Sequence, residues 1–192
     1  MFFNVTAGTQ PVENSERGDV MKAIPTWYKS TMFRSKLEAQ WAKLLDHYGM
    51  AWTYEVEGYE FNDGTRYLPD FWLPDSKQWL EVKGIMNDKD MHKCEMLAKE
   101  SKHEVAIGYA SGKMQLIEFS DCEPDGIWLT DDGVIATCRQ CGGRYLMTWV
   151  GSYHCRCCGA YDGDHYLKEC DETESVFGDV ATIDVMSSRR QP

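Results

Sequence analysis

Between Ser35 and Tyr48 the apolar residues Leu37, Trp41, Leu44, Leu45 and Tyr48 recur at three- and four-residue spacing. That period gathers them on one stripe of an amphipathic helix, and Gly49 supplies the left-handed stop on which such a helix ends. Ahead of it, residues 1–27 carry no sustained pattern: Phe2, Phe3 and Val5 suggest an edge strand, and Gly8 to Gly18 a loop. Behind the helix the period falls to two. Trp52, Tyr54 and Val56 alternate with Thr53, Glu55 and Glu57, which predicts a half-buried strand; Glu55 could join a site on the neighbouring hairpin, although the alternation favours solvent for it. Asn62-Asp63-Gly64 is a hairpin turn signal. From Tyr67 to Gly84 two short strands are joined at Pro74-Asp75-Ser76-Lys77, so the strands read as a meander. Asp88, with Asp90 close behind, starts a second helix running to about Lys102, with Met91, Cys94 or Glu95, Leu97 and Ala98 facing inward. Residues 104–109 and 115–119, separated by Ser111-Gly112-Lys113, read as two further strands.

The Tyr67–Gly84 stretch also carries chemistry. Asp70 lies on its first strand, and Glu81 and Lys83 share one face of the second while Leu80 and Val82 share the other. A hairpin brings Asp70 to the same edge as Glu81. Two carboxylates and an ammonium then converge, a set suited to a divalent metal with a phosphate beside it. Mg²⁺, or Mn²⁺ in its place, is the expected ion, because hard cations favour carboxylate oxygens. Lys83 is placed to orient or deprotonate a metal-bound water, or to pair with the phosphate.

Pro69-Asp70, a ten-residue gap and Glu81-Val82-Lys83 resemble the signature of the PD-(D/E)xK nuclease superfamily, and the resemblance spans roughly residues 28–119. It implies an α/β, restriction-endonuclease-like fold: a mixed central sheet flanked by helices. It also implies that Asp70 and Glu81 bind metal and that Lys83 is catalytic. Phe33-Arg34-Ser35-x-Leu37-Glu38-Ala39 looks like the helix that precedes the core hairpin in this family, where many members place a further acidic residue. Glu38 is accordingly expected as a third metal carboxylate and catalytic-site residue. The plainer account of Glu38 is a helix-edge glutamate paired with Arg34 four residues before it.

Beyond Phe119 the composition shifts. An acidic Pro/Gly-containing linker, residues 121–126, suggests a domain boundary. Cys138-x-x-Cys141-Gly142 and Cys155-x-x-Cys158-Gly159 then follow, thirteen residues apart, and resemble the two knuckles of a zinc ribbon. Four thiolates fill a tetrahedral Zn²⁺ and leave no open position, so the expected zinc is structural. Cys155-x-Cys157 is a competing pairing, although the flanking Gly159 favours Cys158. The expected organisation is an N-terminal extension at 1–27, a nuclease core at 28–120, a ribbon with its own core at 127–170 and a polar tail at 171–192.

Charge refines the picture without deciding it. The net charge is −11, yet residues 28–103 hold 11 Lys/Arg against 13 Asp/Glu, and Cys138–Cys158 holds three arginines and no acid. DNA contacts are expected from Lys89 and Lys93 on the second helix and from Arg139, Arg144 and Arg156 in the ribbon, where Tyr145, Trp149 and Tyr153 either stack on bases or form its small core. The amino terminus lacks a signal pattern and no 18-residue apolar run exists, so a cytoplasmic protein without a membrane span is expected, in a bacterial or phage-infected cell. The short chain and its tryptophan-rich core resemble compact phage or mobile-element members of the superfamily. Two function classes follow. The first is a Mg²⁺-dependent DNA endonuclease, acting as a homodimer or within a larger nucleoprotein complex. The second is a zinc-ribbon DNA-binding adaptor on an inactive nuclease-like fold; a narrower variant of the first is the cleavage subunit of a transposase-type complex.

Overall fold

The computed structural model describes residues 23–119, 127–130, 133–148, 153–155, 157–162, 168–170, 180 and 183–185. A short hairpin, β1 (Thr26–Tyr28) and β2 (Thr31–Phe33), turns at Lys29 and ends on Phe33, which is fully buried. Helix α1 (Lys36–His47) follows. Ser35 caps it by accepting the Glu38 amide, and Gly49 leaves it at φ 62°.

The chain then builds an α/β architecture around a mixed six-stranded sheet. Its strands are β3 (Thr53–Tyr54), β6 (Phe71–Leu73), β7 (Gln78–Lys83), β8 (Val105–Tyr109), β9 (Met114–Phe119) and β10 (Ile127–Thr130), in spatial order β10-β9-β8-β7-β6-β3. Helix α2 (Asp88–Ser101), capped by Asn87, connects β7 to β8, the sheet's parallel pair; every other neighbouring pair is antiparallel. Alternation along the strands divides the core in two. Leu80, Val82, Ala106, Met114 and Leu116 face α1, whereas Trp79, Val105, Ile107 and Ile117 face Cys94, Leu97 and Ala98 of α2. A side chain at Gly108 would begin 2.6 Å from the Trp41 ring, so this glycine lets α1 settle directly on β8.

Several expectations change on folding. The strand expected over Trp52–Glu57 stops after two residues, because Glu55 turns left-handed (φ 47°) and leaves Val56 exposed. The turn at Asn62–Gly64 closes a separate hairpin, β4 (Tyr59–Glu60) with β5 (Arg66–Tyr67), that covers the α2 face instead of continuing a meander. The sheet also runs past the composition shift, since β10 pairs with β9 along Ile127–Thr130.

The C-terminal part forms a three-stranded sheet of β12 (Arg144–Thr148), β11 (Gly133–Cys138) and β15 (Lys168–Cys170), and a hairpin of β13 (Tyr153–His154) with β14 (Tyr161–Asp162). Its core is only partly its own: Cys138, Tyr145 and Cys155 form a small separate cluster. Ile135 and Leu146 join the α1-side cluster with Leu80 and Val82, as do Val180 and Val185 from the segment read as a polar tail. The amide of Gln78, wholly buried on β7, accepts the Leu146 N–H at 3.0 Å, and its NH₂ group donates to the Leu146 carbonyl and to Glu104. Gln40 and Lys43 of α1 donate to the carbonyls of Ile183 and Asp184.

Candidate functional site

The turn at residues 74–77 pairs β6 with β7 in a register that sets Phe71 opposite Leu80. Asp70, one residue before β6, therefore lies beside Glu81. Its amide donates to Glu81 Oε2 at 3.2 Å, and its own Oδ2 accepts the Val82 N–H at 2.8 Å. Both carboxylates are 2 % exposed. Lys83 Nζ sits 2.6 Å from Glu81 Oε1. The three residues expected to converge on this hairpin are thus neighbours.

Glu38 comes to the same region on the first turn of α1, buried, and close enough to raise the Asp70 carboxyl. Its oxygens already have partners. Oε1 accepts from Ser35 Oγ at 2.7 Å; Oε2 accepts from Tyr54 OH at 2.5 Å and from the Arg34 amide at 3.2 Å. Ser35 Oγ in turn accepts the Glu38 amide, a variant of the capping box in which the carboxylate takes the Arg34 amide in place of the Ser35 one; its Ser-x-x-Glu pattern is legible in the sequence. The i,i+4 ion pair with Arg34 does not form. The Arg34 guanidinium instead bridges two other carboxylates, with Nη2 on Asp70 Oδ1 and Nε on Glu55 Oε1, each at 2.7 Å. Glu55 is brought in by its left-handed backbone and keeps its side chain 25 % exposed. Arg34 and Tyr54 are the residues that strand and helix periodicity did not single out.

Electrostatics follow from this crowding. Burial, then Glu81, then Glu38 push Asp70 well above the ordinary carboxylate range, against the Val82 N–H and Lys83. Burial disfavours the Lys83 charge, but Glu81 and then Asp70 outweigh it and raise its pKa, so the side chain stays an ammonium at neutral pH. Burial and the Glu38 contact raise the Tyr54 hydroxyl, which remains a donor. Cys94, 3.7 Å from the Tyr67 hydroxyl and wholly buried, is pushed up to about 12, first by burial and then by Glu81; it is a core thiol.

Whether this set fits a divalent cation turns on charge and donor type. Four carboxyl groups (Glu38, Glu55, Asp70, Glu81) face two cations (Arg34, Lys83), an acid excess in a largely buried cluster that shows in the raised Asp70 carboxyl. The donors are all oxygen, as Mg²⁺ and Mn²⁺ prefer. Glu38, Asp70 and Glu81 do not, however, close into a single three-ligand set: among the described residues, only cysteines bring three or more ligand atoms within 4.8 Å of one another.

Those cysteines are Cys138, Cys141, Cys155 and Cys158, and they could hold a metal ion such as zinc. Cys138 and Cys158 sulfurs lie 3.9 Å apart and Cys141 and Cys155 sulfurs 3.5 Å apart, bracketing the ~3.8 Å edge of a tetrahedron with 2.3 Å Zn–S bonds. The two knuckles repeat one geometry. Gly142 and Gly159 both take φ 72° and donate to the Cys138 and Cys155 carbonyls, while the Gly143 and Cys158 amides each reach a sulfur at 3.4 Å. Cys157 is exposed and outside the quartet, so the fourth thiol is that of Cys158. Tyr145, one of the aromatics considered for base stacking, is buried against Cys155 Sγ at 3.0 Å and accepts the Cys157 amide.

The basic residues expected to meet DNA are dispersed. Lys89 is exposed on α2, and Lys93 lies 3.6 Å from Asp90. Arg139 is exposed on the first knuckle, whereas Arg144 is half-buried with its guanidinium against Gly49 at the end of α1. Arg156 and Trp149 lie outside the described residues, as does the Tyr153 side chain. No helix among the described residues is long and apolar enough to cross a membrane. Compared with known proteins, the chain matches no family model and no curated sequence.

Proposed function

We propose that this protein is a Mg²⁺- or Mn²⁺-dependent nuclease of the PD-(D/E)xK type that hydrolyses DNA phosphodiester bonds endonucleolytically, with zinc held by its four cysteines in a structural role. The observation that carries this reading is the meeting of Asp70, Glu81 and Lys83 on one hairpin, with a buried Glu38 arriving from the preceding helix. The order helix, antiparallel hairpin, crossover helix, parallel strand supports a restriction-endonuclease-like fold.

In this reading Asp70 and Glu81 supply oxygen ligands. A bound divalent cation supplies Lewis-acid neutralisation of the phosphate and an acidified water. Lys83, beside Glu81, orients or deprotonates that water or pairs with a phosphate oxygen. The capping box and Tyr54 hold Glu38 at the edge of the site, where it adds negative potential. A second reading, a DNA-binding adaptor on an inactive nuclease-like fold, draws on the ion pair that occupies Asp70 Oδ1.

The test is wild-type protein against Asp70→Ala on linear, circular and branched DNA with Mg²⁺ or Mn²⁺. Wild type should cleave and the variant should lose turnover, and Lys83→Ala should cleave no better than Asp70→Ala. Equal cleavage by wild type and Asp70→Ala would move the chemistry to another site, and cleavage by neither would favour the adaptor.

A further inference from the structure

Arg34 has a position that neither reading assigns to it. Asp70 presents two oxygens: Oδ2 is held by the Val82 amide, and Oδ1 is held by the Arg34 guanidinium. A cation that takes Asp70 as a ligand through Oδ1 therefore competes with Arg34. The competitor is built to leave. The Arg34 side chain is 55 % exposed although its head touches a carboxylate that is 3 % exposed. Its main chain, in contrast, is fixed by buried Phe33 before it and by the amide's bonds to Glu38 and Tyr54. A half-exposed guanidinium on an anchored backbone can reach only a short arc around the Asp70–Glu81 pair.

We infer that Arg34 exchanges partners during the reaction: it neutralises Asp70 in the cation-free protein and turns to the substrate phosphate when a divalent cation takes Asp70. This rests on the proposed nuclease reading and adds a substrate-contacting residue to it. The chemistry suits arginine, whose planar fork bonds carboxylate and phosphate with similar geometry and whose charge persists at any working pH. Glu55 favours the exchange. Because it pairs with Nε on the far side of the guanidinium, the head retains one carboxylate partner while Nη2 moves from Asp70 to phosphate. The arrangement keeps two negative charges from standing uncovered before the ion arrives, and it keeps Arg34 beside the place where phosphate charge develops.

The experiment uses the full chain and separates cation binding from cleavage. Mn²⁺ is titrated without nucleic acid, followed by electron paramagnetic resonance or calorimetry, into wild type, Asp70→Asn, Arg34→Gln and Arg34→Lys. Asp70→Asn should abolish binding at this site. Arg34→Gln should tighten Mn²⁺ binding by up to about fivefold, the worth of a partly exposed ion pair, because the competing cation is gone. The same variant should lose about 100-fold or more in DNA cleavage, the usual cost of one transition-state donor, while Arg34→Lys recovers part of it. A residue that merely braced Asp70 would lose Mn²⁺ affinity and cleavage together. Arg34→Gln binding Mn²⁺ no tighter than wild type, or cleaving as well as wild type, overturns the exchange. Asp70→Asn binding Mn²⁺ as well as wild type overturns the metal site itself, and with it the nuclease reading.

Discussion

Stripping zinc from this protein should unfold the candidate catalytic sheet as well as the knuckles. Sequence reasoning gave the ribbon its own core and expected the nuclease core to survive its loss in part; the structure places Ile135 and Leu146 in one cluster with Leu80 and Val82. Ile135 and Leu146 are 1 % and 0 % exposed, and burying each is worth about 1.5–3 kcal/mol. Their withdrawal removes roughly 3–6 kcal/mol from the α1-side core. Gln78 adds to the loss, because its buried amide would face no Leu146 backbone, a cost of about 1–3 kcal/mol. Against a typical total of about 5–15 kcal/mol, the remaining sheet is marginal. At about 2–4 °C per kcal/mol, its melting temperature should fall by roughly 10–35 °C. Calorimetry with and without chelator, with zinc measured in parallel, reads this directly. A sheet transition at unchanged temperature after complete zinc removal would refute the shared core; absence of zinc from protein purified without chelator would refute the metal.

Two other outcomes follow from the geometry. Asp70 is held above its ordinary pKa by burial, Glu81 and Glu38, so its contribution to stability is fully present below the unfolded carboxylate value and is lost as pH rises through the raised folded value. Cation-free protein should therefore lose melting temperature as pH is raised out of the carboxylate range, and Asp70→Asn should flatten that dependence; an unchanged slope would remove Asp70 as its source. Cys158→Ser should release zinc while Cys157→Ser keeps it stoichiometric, by elemental analysis, since only Cys158 belongs to the quartet; zinc loss from Cys157→Ser alone would reverse the assignment.

What the sequence revealed was local. The stripe and cap of α1, the cap and inner face of α2, and the paired knuckles are each written within a dozen or so residues, and they fold nearly as read. The Asp70–Glu81 pairing was legible because one turn fixes its register. Long-range matters were not. β10 lies behind an acidic linker that reads as a boundary, and Val180 and Val185 belong to an apolar-rich run at residues 176–186 that is lost to view when 171–192 is read as one polar tail, because its acidic start and its Ser/Arg end set the average. Arg34 was paired with Glu38 by the i,i+4 rule, yet the closer Ser35 hydroxyl and the Tyr54 phenol claimed that carboxylate first. Glu55 was legible as a residue that could join the site, but solvent was its favoured place because nothing in an alternating run announces a left-handed residue.

The split of the α1-side core along the chain also has a consequence in time. Translation delivers Glu38, Asp70, Glu81 and Lys83 early, while Ile135, Leu146, Val180 and Val185, which complete the cover over Leu80 and Val82, emerge later. A nascent chain that has reached residue 126 thus holds every candidate catalytic side chain, with Leu80 and Val82 packed against α1 but without the rest of their cover. Such a chain is exposed to aggregation and to chaperones. β7 gains its full cover only after residues 135–185 have left the ribosome. The last third of the protein, in this light, sets the moment at which the first two thirds become competent.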